Sequence, residues 1–186
     1  MSRSSSIPSS TDTGTVVRRR RRLLGLLATA SLAGIASTCL RKLSPSLAGQ
    51  VLPVLELRDL DGRLQSTLDF RATPLLVNVW ATWCPPCRAE MAGLDRLYRE
   101  LAPHGFRLVG VSADDDVNLA REYVLRSRIT FPVWHDPGGK TMTRLLGTPV
   151  IPVTLLVGRD GLVRRQVSGE QVWDAGEART WVNALM

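Results

Sequence analysis

The chain has 186 residues, 44% of them hydrophobic, with 24 Lys or Arg against 17 Asp or Glu and a formal net charge of +7. That length holds one domain of ordinary size plus a leader, and leaves no room for a second full domain. Residues 1–48 carry eight Lys/Arg and one Asp and so account for the whole +7, leaving residues 49–186 formally neutral, which removes basic charge as an argument for a nucleic-acid partner or an acidic ligand.

Met1 to Val17 is rich in Ser and Thr, buries little, and is expected to be disordered. Arg18 to Arg22 then run into the apolar stretch Leu23 to Leu40, an order that fits the basic and hydrophobic regions of an export signal better than a nucleic-acid arm. At this length the stretch is at the lower limit for spanning a bilayer, and Gly25, Ser31, Gly34, Ser37 and Thr38 dilute it. Anchoring and cleavage are both compatible with these residues; Ser46-Leu47-Ala48 offers small residues for cleavage before Gly49. Cys39 raises lipid attachment as a third fate, although Ala36-Ser37-Thr38 matches such a signal poorly and a small apolar residue suits the segment anyway. Arg20 to Leu24 has the form of a twin-arginine signal, which five successive arginines produce by themselves. In each case the positive end stays inside and residues 49–186 face out.

Val51 to Arg58 and Leu64 to Phe70, joined through Asp59-Leu60-Asp61-Gly62, read as a β-hairpin. Pro74 to Trp80 is a short apolar run, the pattern of a buried central strand. Met91, Leu94, Leu97, Tyr98 and Leu101 recur at helical spacing after it, with Arg88, Glu90, Asp95, Arg96, Arg99 and Glu100 on the other face. Phe106 to Val111 predicts a second buried strand, and Ser112 to about Arg126 a helix opened by three aspartates. Those carboxylates are accounted for by helix capping and the dipole more simply than by a metal. Thr130 to Trp134 predicts a strand, His135 to Gly139 an exposed turn, Lys140 to Leu146 a helix, Val153 to Val157 and Leu162 to Val167 a hairpin about Asp160-Gly161, and Ala175 to Leu185 an amphipathic last helix. His104 falls in the loop that ends the first long helix.

The chemistry is concentrated in Trp80-Ala81-Thr82-Trp83-Cys84-Pro85-Pro86-Cys87. Cys84 sits where a strand gives way to a helix, so unpaired N–H groups and the positive end of the helix dipole favour its thiolate. Cys87, one turn on, is placed to form a disulfide with Cys84 and to act as a resolving thiol. Pro85 and Pro86 suit the first helical turn and remove two donors from the thiolate, which moderates the lowering of its pKa and favours a reductant over a strong oxidant. A zinc half-site is the competing reading, but the only other cysteine is Cys39 and neither His104 nor His135 has a ligand partner near it in sequence. The assignment is therefore no metal, and no cofactor beyond a redox-active Cys84–Cys87 disulfide.

The succession of elements, together with the Trp83-Cys84-Pro85-Pro86-Cys87 motif, resembles the exported thioredoxin-like reductases of the TlpA/ResA type over about residues 51 to 186. The resemblance implies an α/β thioredoxin-like fold: a central mixed β-sheet flanked by helices, with an N-terminal hairpin and a central helix-strand insertion. It also implies that Ile151-Pro152 is a cis peptide facing the cysteine pair, Pro149 being the competing position, and that the backbone there pairs with an extended substrate alongside Trp83, Pro85 and Pro86. Glu90 matches a glutamate that the family places beside the thiols, where a carboxylate tunes their protonation; the alternative is a solvated helix charge. Asn78 departs from cytosolic thioredoxins, which carry a buried aspartate six residues before the first cysteine. Val153 departs from some cytochrome c maturation members, which have a glutamate directly after the cis-proline.

The reading that follows is a bacterial cell-envelope thiol-disulfide oxidoreductase that mainly reduces exported proteins, of the cytochrome c maturation or oxidase copper-site assembly type. A membrane thiol electron donor would reset it, and an uncleaved leader would tie it to the membrane. A disulfide-forming oxidase, a peroxiredoxin-type peroxidase and a thiol-based metal chaperone use the same two cysteines and are its rivals.

Overall fold

A computed structural model describes residues 46–148 and 150–186 of the chain. The arginine run, the apolar segment 23–40, Cys39 and Pro149 lie outside the described residues. Among the described residues no helix is long and apolar enough to cross a membrane.

The elements in chain order are β1 (Glu56–Asp59), β2 (Leu64–Ser66), β3 (Leu75–Trp80), α1 (Pro85–Leu101), β4 (Arg107–Ser112), α2 (Val117–Ser127), β5 (Val133–His135), α3 (Lys140–Leu146), β6 (Val153–Val157), β7 (Val163–Ser168) and α4 (Gly176–Asn183). The strands form one sheet in the order β2-β1-β5-β4-β3-β6-β7. β4 runs parallel to both β3 and β5, whereas β6 is antiparallel to β3 and β7, so the sheet is mixed as expected. β5 also pairs antiparallel with β1, and it is this inserted strand that joins the N-terminal hairpin to the rest of the sheet.

Every residue of β3 is buried, because helices and loops cover both faces of the sheet, and the strand reads as a continuous apolar run for that reason. The two-residue alternation then sorts its side chains. Leu76 and Trp80 join Met91, Leu94 and Leu97 of α1, Ala120 of α2 and Val182 of α4 in one core. Leu75, Val77 and Val79 pack on the opposite face with Leu55 and with Met142 and Leu146 of α3. Asn78 falls between Leu76 and Trp80 in this alternation and is thereby aimed at α1.

Several expected boundaries move, each for a local reason. The strand expected over Val51 to Arg58 begins only at Glu56; the residues before it lie along the β6–β7 turn instead, with Leu52 N–H donating to the Gly161 carbonyl (2.9 Å). Leu64 to Phe70 divides into β2 and a 3₁₀ turn, Thr67–Phe70, whose Leu68 N–H donates to the Ser66 hydroxyl (3.3 Å). The strand expected from Thr130 starts at Val133, since Thr130 is tied to Asp95 through its N–H (2.7 Å) and hydroxyl (2.8 Å). The helix expected from Ser112 starts at Val117, with Asp116 as its cap accepting from Asn118 N–H (2.9 Å). His135 is not exposed turn chemistry: it is a half-buried β5 residue paired with Arg58 and Ser112, and its Nε2–H donates to the Asp114 carbonyl (2.8 Å).

Candidate active site

β3 delivers the chain through Ala81-Thr82-Trp83 to Cys84, which is the N-cap of α1, with Pro85 and Pro86 in the first helical turn. Cys84 and Cys87 are joined in a disulfide, and the Cys84 sulfur accepts from Cys87 N–H (3.3 Å), so that atom sits at the positive end of the helix dipole. Cys84 is 4% exposed and Cys87 fully buried, which makes Cys84 the sulfur that a partner reaches first. Trp83 stands 63% exposed beside it. The Ile151–Pro152 peptide is cis, and the Ile151 carbonyl oxygen lies 4.0 Å from Cys84 Sγ. Thus Trp83, Cys84 and Cys87, just past the end of β3, meet Ile151 and Pro152, just before the start of β6, although the two groups are far apart in sequence.

Glu90, one turn beyond Cys87, is 2% exposed and is no solvated helix charge. Its Oε1 accepts from Asn78 Nδ2 (2.6 Å), and its Oε2 accepts from the indole N–H of Trp173 (2.9 Å) and the backbone N–H of Gln171 (3.2 Å). Asn78 Nδ2 also donates to Thr154 Oγ1 (2.9 Å). Burial pushes the Glu90 carboxyl above the ordinary range of a glutamate, and the three donors pull the other way without cancelling that push. Exposed Glu170 adds a small like-charge contribution in the same direction as burial. Asn78 Oδ1 is buried and has no hydrogen-bond partner, so the amide spends its donor on Glu90 and leaves its acceptor unused.

Two further residues that shape this site, Trp173 and Asp114, were not assigned to it from the sequence. Trp173 belongs to a polar loop after β7, and a fully buried tryptophan in the run Glu170-Gln171-Val172-Trp173-Asp174 was the available signal. Asp114, read only as helix-start chemistry, is fully buried and accepts from Thr82 N–H (3.1 Å), Thr82 Oγ1 (2.6 Å) and Ser112 Oγ (2.8 Å). It therefore ties the end of β4 to the loop that carries Trp83 and Cys84. Among the described residues, no three His, Cys, Asp or Glu side chains converge as metal ligands.

A disulfide at a helix N-terminus, in a mixed sheet with a cis-proline beside it, defines a thiol-disulfide oxidoreductase of thioredoxin-like fold. Comparison with known proteins agrees. Residues 48–166 match the AhpC/TSA family, to which the chain belongs. The thiol-disulfide oxidoreductase ResA of Bacillus thuringiensis subsp. konkukian is 30% identical over 123 residues, 66% of this chain and 70% of that one. The thiol:disulfide interchange protein DsbE of Vibrio cholerae is 30% identical over 165 residues, 88% of this chain and 85% of that one. A crystal structure from Chlorobium tepidum, described as a thiol:disulfide interchange protein DsbE, superposes with a TM-score of 0.68 at 26% identity and covers 74% of this chain and 96% of its own.

Proposed function

We propose that the protein works in the cell envelope mainly as a disulfide reductant for exported proteins, with Cys84 as nucleophile and Cys87 as resolving thiol. The observation that carries the order of attack is the greater exposure of Cys84, at the helix cap and beside the Ile151 carbonyl, than of Cys87. In the reduced protein the Cys84 thiolate attacks one sulfur of a substrate disulfide and expels the other as a thiolate. The Cys87 thiolate then attacks Cys84 Sγ, expels the second substrate sulfur and closes the Cys84–Cys87 bond. Two electrons and two protons pass to the substrate, so a thiol pair of matching chemistry, which we assign to a membrane electron donor, must reset the oxidised protein. Glu90 tunes the protonation of the two thiols, and Trp83, Pro85, Pro86, Ile151 and Pro152 form the surface on which an extended substrate lies.

The basic and apolar leader supports export or anchoring, and it leaves the domain where the cytosolic thiol pool cannot recharge it. The ResA and DsbE relatives, a thiol-disulfide oxidoreductase and a thiol:disulfide interchange protein, support disulfide-containing protein clients; as the client we assign an exported protein, either apocytochrome c or an oxidase copper-site assembly factor. Expressing the full chain with Cys87→Ser tests the scheme, because the second displacement is then blocked. A mixed disulfide to an exported protein through Cys84 is the expected product; a peroxide-dependent sulfenate on Cys84 with no captured protein would replace the scheme by a peroxidase.

A further inference from the structure

Asn78 stands between two hydrogen-bonding partners in the buried middle of the sheet. The antiparallel register sets it opposite Thr154, two residues past Pro152, and its Nδ2 donates both to Thr154 Oγ1 (2.9 Å) and to Glu90 Oε1 (2.6 Å). On its other side the register places Gly110 of β4, which has no side chain to offer. Asn78 Oδ1 is accordingly buried and, among the described residues, has no partner. One end of the amide makes two bonds and the other none, in a place where polar atoms are ordinarily paired.

Adding a proton to Glu90 upsets this arrangement at one particular atom. Glu90 Oε2 already receives two N–H groups, from Trp173 (2.9 Å) and Gln171 (3.2 Å), so it stays the carbonyl oxygen of the acid. The proton goes to Oε1, where it meets the N–H of Asn78 donor to donor. Turning the amide by about 180° removes the conflict, because Oδ1 then accepts from the Glu90 hydroxyl and from the Thr154 hydroxyl, whose hydrogen is free to rotate. Both contacts survive with their direction reversed, and the unpaired atom becomes Nδ2 instead of Oδ1. The Asn78–Glu90 separation suits either state: 2.6 Å is short for N–H···O, ordinarily about 2.7–3.2 Å, and normal for O–H···O, about 2.5–3.0 Å.

Burial pushes the Glu90 carboxyl up, which brings its protonated form within reach. The surroundings leave that titration to Glu90. β3 and β6 carry no ionisable side chain, and the disulfide sulfurs do not titrate. In the loop after β7, Asp174 is paired with Arg96 (2.6 Å) and Glu170 is exposed.

We infer that Asn78 is a positioning residue that holds Glu90 in both protonation states, its amide donating to the carboxylate and, turned over, accepting from the carboxylic acid. The inference rests on Glu90 as the group that tunes the thiols. It adds a way for that group to take up or release a proton without loosening the link between α1, β3 and the strand that follows Pro152. An ionised aspartate in the place of Asn78 only accepts and has nothing to give a charged Glu90.

The test follows the protonated-carboxyl infrared band of Glu90 through a pH titration of the oxidised full chain, with Asn78→Leu set against Trp173→Phe. The indole can only donate, so its loss weakens the carboxylate alone and raises the midpoint. Loss of the amide takes one bond from the carboxylate and an equivalent one from the acid, so the Asn78→Leu midpoint moves less than half as far. A second measurement, on the unmodified protein, guards against an Asn78→Leu chain that fails to fold. Both Nδ2 hydrogens are bonded when Glu90 is charged and both are released when the amide turns, so their NMR resonances move upfield and exchange faster with solvent at the Glu90 midpoint. A shift in Asn78→Leu at least half that of Trp173→Phe, or amide hydrogens that keep their resonances and protection across the titration, overturns the inference and leaves Asn78 a fixed donor. The role of Glu90 itself is read separately, from the pH profile of Cys84 alkylation in the reduced protein. A profile that Glu90→Gln leaves unchanged overturns the tuning of the thiols, whatever the amide does.

Discussion

Replacing Trp173 by phenylalanine removes one of the three N–H donors that hold the Glu90 carboxylate while keeping an aromatic ring in the core. The indole bond, 2.9 Å long and fully buried, is foremost among the influences that lower the Glu90 pKa against burial. A hydrogen bond to a charged group contributes about 1.5–3 kcal/mol, so its loss weakens the charged form by about that much and the Glu90 pKa should rise further. Infrared titration of the oxidised protein reads this directly, as the protonated carboxyl band that vanishes in a Glu90→Gln variant; the disulfide form is chosen because its sulfurs do not titrate. In the unmodified protein the band should titrate above the ordinary glutamate value of 4.5. An unmoved or lower midpoint in Trp173→Phe would mean that the indole does not stabilise the charged form.

Glu90→Gln should itself change the pH dependence of stability. Because the folded pKa of Glu90 is raised, the folded state holds the proton more tightly than the unfolded chain, so stability present below about pH 4.5 is lost as pH rises through the raised value. The glutamine variant lacks that loss, and its unfolding free energy by denaturant titration should gain on the unmodified protein as pH rises from about 4.5; a constant difference across that range contradicts the assignment. Asp114→Ala strips Thr82 and Ser112 of a buried acceptor and should cost about 2–4 kcal/mol in the same measurement, while a cost below about 0.5 kcal/mol would deny Asp114 its place as the tie between β4 and the cysteine loop. Asp136→Ala removes the side chain that accepts from Thr141 N–H (3.0 Å) and Met142 N–H (2.8 Å) at the start of α3, and should cost about 1–2 kcal/mol; if it costs nothing, α3 is held by packing alone.

What the sequence made legible was what local pattern and spacing control. The apolar run of β3, the change to helical period after Cys87 and the Asp-Gly turns each announce their element within a few residues, and Pro85 and Pro86 mark the helix start. The thiol pair was legible for the same reason, its two members standing one turn apart. What stayed hidden depends on partners distant in the chain. Thr82 and Asp114 are 32 residues apart, Glu90 and Trp173 are 83, and Asn78 and Thr154 are 76. A carboxylate at a strand end looks the same in sequence whether it caps a helix, as Asp116 does, or clamps a loop, as Asp114 does. His135 was misplaced because a short strand carries too little alternation to be told from the turn that follows it.

Whether the Cys84–Cys87 pair works as a reductant is read most directly from its reduction potential. Equilibration of the domain with a glutathione or dithiothreitol redox buffer, read by thiol trapping, should give a value nearer the roughly −270 mV of thioredoxin than the roughly −120 mV of a strong disulfide-forming oxidase. A value near the latter would contradict the role as reductant and make the same site a donor of disulfides.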